Sequence, residues 1–155
     1  MASLRSRAAA VVMGISIVAL CGGRLVTAQK PNDAIASLQS EIPGMVTDLT
    51  EVKRMSDNTV RVMWRWRNTT AKPVHVEGIF ETAYLLDPVN KKKHLVVTDA
   101  NRVAIGTSMP YDQTDIQANA AVSMWARFPA PPDAVGKMTV VLAKTPPFED
   151  IPITK

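Results

Sequence analysis

The sequence predicts an all-β fold, an antiparallel sandwich of about seven short strands over residues 45–155. Three observations lead there. Apolar and polar residues alternate with a period of two along TVRVMWRWRN (59–68) and AVSMWARF (121–128), the pattern of a half-buried strand. Turn-forming clusters such as Ser56-Asp57-Asn58, Asn68-Thr69-Thr70 and Asp87-Pro88-Val89-Asn90 recur between the extended runs, as they do in small sandwiches. Eleven prolines against seven glycines favour many strand ends over long helices.

The elements follow in order. Gln29 to Gly44 reads as a leader or tether. Asn32 caps a short helix in which Ile35, Leu38 and Ile42 keep helical spacing, and Pro43-Gly44 ends it,. The period then becomes two, with VTDLTEVKR (46–54) and TVRVMWRWRN (59–68) forming a hairpin,. A third strand is expected over 76–86, with Gly78 a bulge, and a fourth over HLVVTD (94–99),. Residues 101–115 read as a long loop or irregular edge. Strands at 121–128 and 137–143 and an extended tail at 151–153 complete the count.

The segment VRVMWRWR (60–67) decides between a core strand and an anion-binding surface. In a strand, Val60, Val62, Trp64 and Trp66 share one face, and Arg61, Met63, Arg65 and Arg67 share the other,. Two buried indoles are each worth several kcal/mol, at ~25 cal/mol per Å² over roughly 150–250 Å². A core strand with a wet arginine face is therefore expected. A helix would scatter these residues around its circumference, which excludes a membrane-active amphipathic peptide.

The first 28 residues are different material. Arg5 and Arg7 precede the 13-residue apolar run Ala8–Leu20, and Val26-Thr27-Ala28 is a small-residue cleavage pattern. These are the parts of a secretory signal peptide, too short for the about 20 apolar residues of a membrane span. Cleavage after Ala28, delivery to the periplasm or the exterior, and no later transmembrane segment are expected. Cys21 raises a rival, lipid attachment, but Leu20 stands where such signals carry a small residue,. Residues 1–28 hold three of the 18 basic residues and none of the 14 acidic ones. Cleavage thus leaves 15 against 14, and the net charge of +4 falls to +1. That balance gives no reason to expect a nucleic-acid partner. The only cysteine leaves with the signal, so the domain relies on burial rather than disulfides.

Asn68-Thr69, YLLDPVNKKKHLVVTD (84–99), FPAPP (128–132) and TPPFEDIPI (145–153) together resemble uncharacterised bacterial exported domains with an immunoglobulin-like β-sandwich. Some of those are similar to modules found beside outer-membrane-protein-A-like domains. The resemblance spans most of residues 45–153 and implies a fold and an address, with no activity attached. The sequence departs from it at Gln117-Ala118-Asn119-Ala120, where such domains carry a Pro-Gly turn, and no peptidoglycan-binding domain follows within these residues.

The residues offer little catalytic chemistry. His75 and His94 are the only histidines, with no zinc-ligand spacing and no GxSxG elbow. No catalytic, cofactor-binding or metal-binding residue is assigned. Asn68-Thr69-Thr70 matches a glycosylation acceptor but reads as turn chemistry. The expected function is a monomeric, non-catalytic binding or assembly module of the cell envelope. Its partner is an envelope protein or an anionic polymer, with no cofactor. Candidate contacts are the lysine run Lys91, Lys92 and Lys93 and the arginine row Arg61, Arg65 and Arg67; an apolar patch around Tyr111 or Phe148 is the uncharged option. The alternatives are a carboxylate-based hydrolase using Glu77 and Glu81, about 13 Å apart on one strand, and a calcium-dependent binding domain using Asp99, Asp112 and Asp115.

Overall fold

A computed structural model describes residues 33–107 and 112–155. The expected signal peptide over residues 1–28, Cys21 within it, and Tyr111 lie outside them. All described regular structure is β: ten strands rather than about seven, paired antiparallel in three sheets. They are β1 (Ala36–Gln39), β2 (Met45–Arg54), β3 (Thr59–Asn68), β4 (Val74–Glu77), β5 (Tyr84–Asp87), β6 (Lys92–Leu95), β7 (Gln113–Ile116), β8 (Ala121–Pro129), β9 (Lys137–Val141) and β10 (Phe148–Pro152).

The first sheet has the order β1-β2-β3-β8 and the second β10-β9-β5-β6, while β4 and β7 form a separate ribbon. Leu49, Val62, Trp64 and Phe128 of the first sheet and Leu85, Met138, Val140 and Phe148 of the second belong to one buried cluster. Trp64 and Trp66 are 1% and 2% exposed. Trp64 meets Trp66 and Phe80 edge-on at centroid distances of 6.4 and 6.2 Å, within the favoured range for aromatic pairs.

The β2–β3 hairpin turns through Asn58 at φ 57°, a conformation asparagine tolerates, while Asp57 accepts the Thr59 N–H at 3.2 Å. Leu49 faces Trp64 and Glu51 faces Met63, so Thr50 is an inserted residue. This bulge moves the inward positions of β2 from Met45, Thr47 and Leu49 to Val52,.

Four expectations change. Residues 36–39 are a strand, not a helix: Ala36 and Leu38 turn inward, and Asp48 and its neighbours on β2 supply a pairing edge. The helical spacing of Ile35, Leu38 and Ile42 is outweighed by that pairing, and Ile35 is left 44% exposed. The expected strand over 76–86 is broken between β4 and β5. Gly78 turns at φ 68°, and the inward residues Val76, Ile79 and Ala83 are spaced three and four apart, which no continuous strand accommodates. Lys92 and Lys93 fall inside β6, so that strand begins before His94. Its continuation folds back along β8, where the Thr107 N–H reaches Trp125 O at 2.8 Å and the Arg127 N–H reaches Ile105 O at 2.9 Å. Finally, Gln113–Ile116 of the expected loop pairs with β4 in register.

Gly44 is required where it stands. Its φ is 77°, and a Cβ there would strike the Thr70 side chain. Its carbonyl accepts the Thr69 N–H at 2.8 Å and the Thr69 hydroxyl at 2.6 Å. This locks the leader onto the end of β3.

Candidate functional site

The arginine row lies on the outer face of the first sheet, as alternation requires, but each of its arginines is ion-paired there. Strand register puts Asp48 opposite Arg65 on one side and Ser37 on the other. Arg65 donates to Asp48 Oδ2 through Nε (3.1 Å) and Nη2 (2.8 Å). Arg67 donates through Nε at 2.6 Å and Nη2 at 3.0 Å, and the Ser37 hydroxyl adds a bond of 2.7 Å. Arg61 pairs with Glu51 at 2.7 Å and Arg127 with Asp57 at 2.6 Å. Asp48 is 1% and Arg65 7% exposed, so Arg65 is buried rather than wet. Burial pushes the Asp48 carboxyl up, but the bonds from Arg67, Ser37 and Arg65 outweigh it and hold the pKa at about 2,.

The lysine run is built differently. Asp87 closes the β5–β6 turn: its carboxylate accepts the N–H groups of Val89 (2.9 Å) and Asn90 (3.0 Å) and the Asn90 side-chain amide (2.7 Å). Lys91 takes the left-handed position at φ 52°. Lys91, Lys92 and Lys93 are all exposed, and none forms a salt bridge among the described residues. Lys93 Nζ lies 3.7 Å from the centroid of the Tyr84 ring, a cation–π contact. Register pairs Tyr84 with Leu95 and Leu86 with Lys93. With Leu85 turned into the core, these four share the outer face.

A cleft of about 770 Å³ borders Tyr84 and is lined by Glu41, Glu77, Glu81, Asp112 and Lys144 among others. The fold thus brings together carboxylates far apart in sequence. Asp112 and Lys144 both hold left-handed backbone conformations, at φ 53° and 52°, and such strain gathers at functional sites. Both Asp112 carboxylate oxygens accept the Phe80 N–H, at 3.1 and 3.0 Å. Burial raises the Asp112 pKa and the Glu81 charge adds to it, against the N–H donors of Phe80, Glu81 and Ile79; the net shift is upward.

The other candidates separate. Asp99 accepts the N–H groups of Asn101 and Val103, both at 2.8 Å. Asp115 lies 2.6 Å from His75 Nδ1, and the hydrogen bond to Asp115 raises the His75 pKa above 6.5. Asp99, Asp112 and Asp115 therefore hold three different partners. Among the described residues no group of three or more His, Cys, Asp or Glu side chains is arranged to hold a metal ion. His94 is buried on β6, away from His75 on β4. Phe148 belongs to the core at 2% exposure, so it forms no surface patch. Asn68 is 2% exposed, and its amide nitrogen donates to Lys72, Ile116 and Gln117 carbonyls at 2.7–3.1 Å. That position is closed to glycosylation in the folded chain.

Sequence reasoning missed Tyr84, Leu86 and Leu95 as an outward set and Glu41 and Lys144 as cleft residues. The first was readable from alternation once the hairpin register was known. The second depends on tertiary approach and left no sequence signal. No helix among the described residues is long and apolar enough to cross a membrane. No known protein family matches the chain, and neither a curated protein nor a solved structure shows significant similarity to it.

Proposed function

We propose that the chain is an exported, non-catalytic binding or assembly module of the bacterial cell envelope. In this reading its two four-stranded sheets, which contribute to one core, make an immunoglobulin-like sandwich. The β5–β6 hairpin contacts an acidic protein or an anionic polymer. The observation that carries the reading is a difference in ion pairing. Lys91, Lys92 and Lys93 are exposed and unpaired among the described residues, whereas the arginines already face carboxylates. Free charges attract a partner; matched ones have little left to offer.

The test is titration with poly-glutamate at low and high salt. Binding weakens with salt, because exposed charges are screened within about 8–10 Å at ordinary ionic strength, and it disappears in the Lys91→Gln/Lys92→Gln/Lys93→Gln variant. Salt-independent binding unaffected by that variant would refute the reading. Export is tested by intact mass: the mature chain begins at Gln29, and a diacylated Cys21 terminus would establish lipid attachment instead.

A carboxylate-based hydrolase is the second reading, favoured by Glu77, Glu81 and Asp112 lining one cleft. Against it, both Asp112 oxygens are engaged by the Phe80 N–H. Hydrolysis of a soluble chromogenic glycoside that is abolished by Glu77→Gln, with the fold intact, would turn the assignment to an enzyme.

A further inference from the structure

We infer that the outer face of the second sheet around Tyr84, Leu86 and Leu95 docks a partner protein through a short segment that presents apolar side chains flanked by carboxylates. The inference rests on the binding reading above and narrows it, from any polyanion to an acidic–apolar protein segment.

The face follows from register. Leu85, Met138 and Val140 point into the core, so Tyr84, Leu86, Thr139 and Val141 point outward,. Leu95 and Lys93 extend that face onto β6. Six large hydrophobic residues are exposed among those described, and three of them sit on this one hairpin: Leu86 at 37%, Leu95 at 60% and Val89 at 72%. Single exposed leucines are ordinary, but a cluster on one face beside an aromatic ring marks an interaction surface.

Charge selects the partner. Lys93 lies on the face itself and Lys91 and Lys92 at its turn end, none of them in a salt bridge among the described residues, and Lys on an exposed strand ordinarily turns away other strands. A segment bearing carboxylates is admitted where a neutral or basic one is not. A pure polyanion leaves Leu86 and Leu95 in water, so it forgoes the apolar part of the contact. The cleft that Tyr84 borders is lined by Glu77 and Glu81 and by none of the three lysines. Those carboxylates repel a second anionic end, so the partner's carboxylates are oriented toward the lysines.

The test compares two probes on the full folded chain: a synthetic peptide alternating glutamate with leucine, and poly-glutamate of equal charge. The alternating peptide binds about tenfold more tightly, the effect of covering leucine side chains. Leu86→Ser/Leu95→Ser removes that advantage and leaves poly-glutamate binding unchanged, while Lys91→Gln/Lys92→Gln/Lys93→Gln weakens both probes. If the double variant loses its cooperative thermal transition, Leu95→Thr at the more exposed position carries the same comparison. Equal affinity for the two probes, indifferent to the leucine variants, overturns the docking face but leaves the lysine contact standing. Failure of both probes at low salt overturns the two together.

Discussion

The two sheets present opposite kinds of outer face. On the first, Arg65 and Arg67 converge on Asp48 and Arg61 on Glu51, so each arginine of a cation-rich strand is held in an ion pair, two of them sharing one carboxylate. On the second, Lys91, Lys92 and Lys93 have no ion-pair partner among the described residues, and Leu86 and Leu95 are exposed beside Tyr84. The stretch with the more conspicuous charge is the less available one. What separates the faces is whether a carboxylate is bound by the cations: Asp48 and Glu51 take the arginines, whereas Asp87, opposite Lys92 in the register, is taken by the Val89 and Asn90 N–H groups and the Asn90 amide.

The largest expected effect breaks the first face. Asp48→Ala strands the Arg65 guanidinium, 7% exposed, without its counter-charge. Removing one partner of a buried pair costs about 3–5 kcal/mol, read as a lower urea midpoint. A loss under about 1 kcal/mol would mean that Asp48 does not organise this face.

Acid gives the next effect. The Asp48 pKa is depressed from 3.8 to about 2, so its stabilisation is present above the unfolded value and lost as pH falls through the folded one. The shift corresponds to about 2 kcal/mol at neutral pH. Urea midpoints measured from pH 6 to pH 2 should fall mainly below pH 4, and Asp48→Asn should flatten that part of the profile. Acid sensitivity that is identical in the variant would assign the loss to other carboxylates.

Smaller still is Arg61→Gln. Both members of the Arg61–Glu51 pair are partly solvated, at 33% and 28% side-chain exposure, and such pairs contribute about 0.2–1 kcal/mol. The smallest stability change belongs to the second face: Leu86→Ser/Leu95→Ser should leave the unfolding free energy within about 0.5 kcal/mol of the parent, since both side chains are exposed. A large loss there would show that these leucines belong to the fold rather than to a contact.

Much of the frame was legible in the sequence. β2, β3, β8 and β9 announce themselves by alternation, and the inward set Val60, Val62, Trp64 and Trp66 is buried as alternation dictates. The faults have physical causes. β1 is four residues long and exists through pairing with β2, a long-range term that local spacing cannot express. The break between β4 and β5 hangs on Asp112, which is 32 residues from the Phe80 N–H it accepts. The fate of the arginines depends on the bulge at Thr50, which sets the register of β2 against β3; alternation correctly gives their face but not their partners. The lysines were legible as charge, and their freedom became visible only when every neighbouring carboxylate was located.

One measurement tests the contrast most directly: poly-glutamate affinity at low salt for two variants that each lose two positive charges, Lys92→Gln/Lys93→Gln and Arg61→Gln/Arg67→Gln. The second pair leaves Arg65 on Asp48, at 2.8 Å, and so keeps the buried ion pair. If the second sheet carries the contact, the lysine variant loses most of its affinity with an unchanged melting temperature, and the arginine variant binds like the parent while melting lower. Loss of affinity in the arginine variant, with the lysine variant unaffected, would contradict the account and return the binding surface to the first sheet.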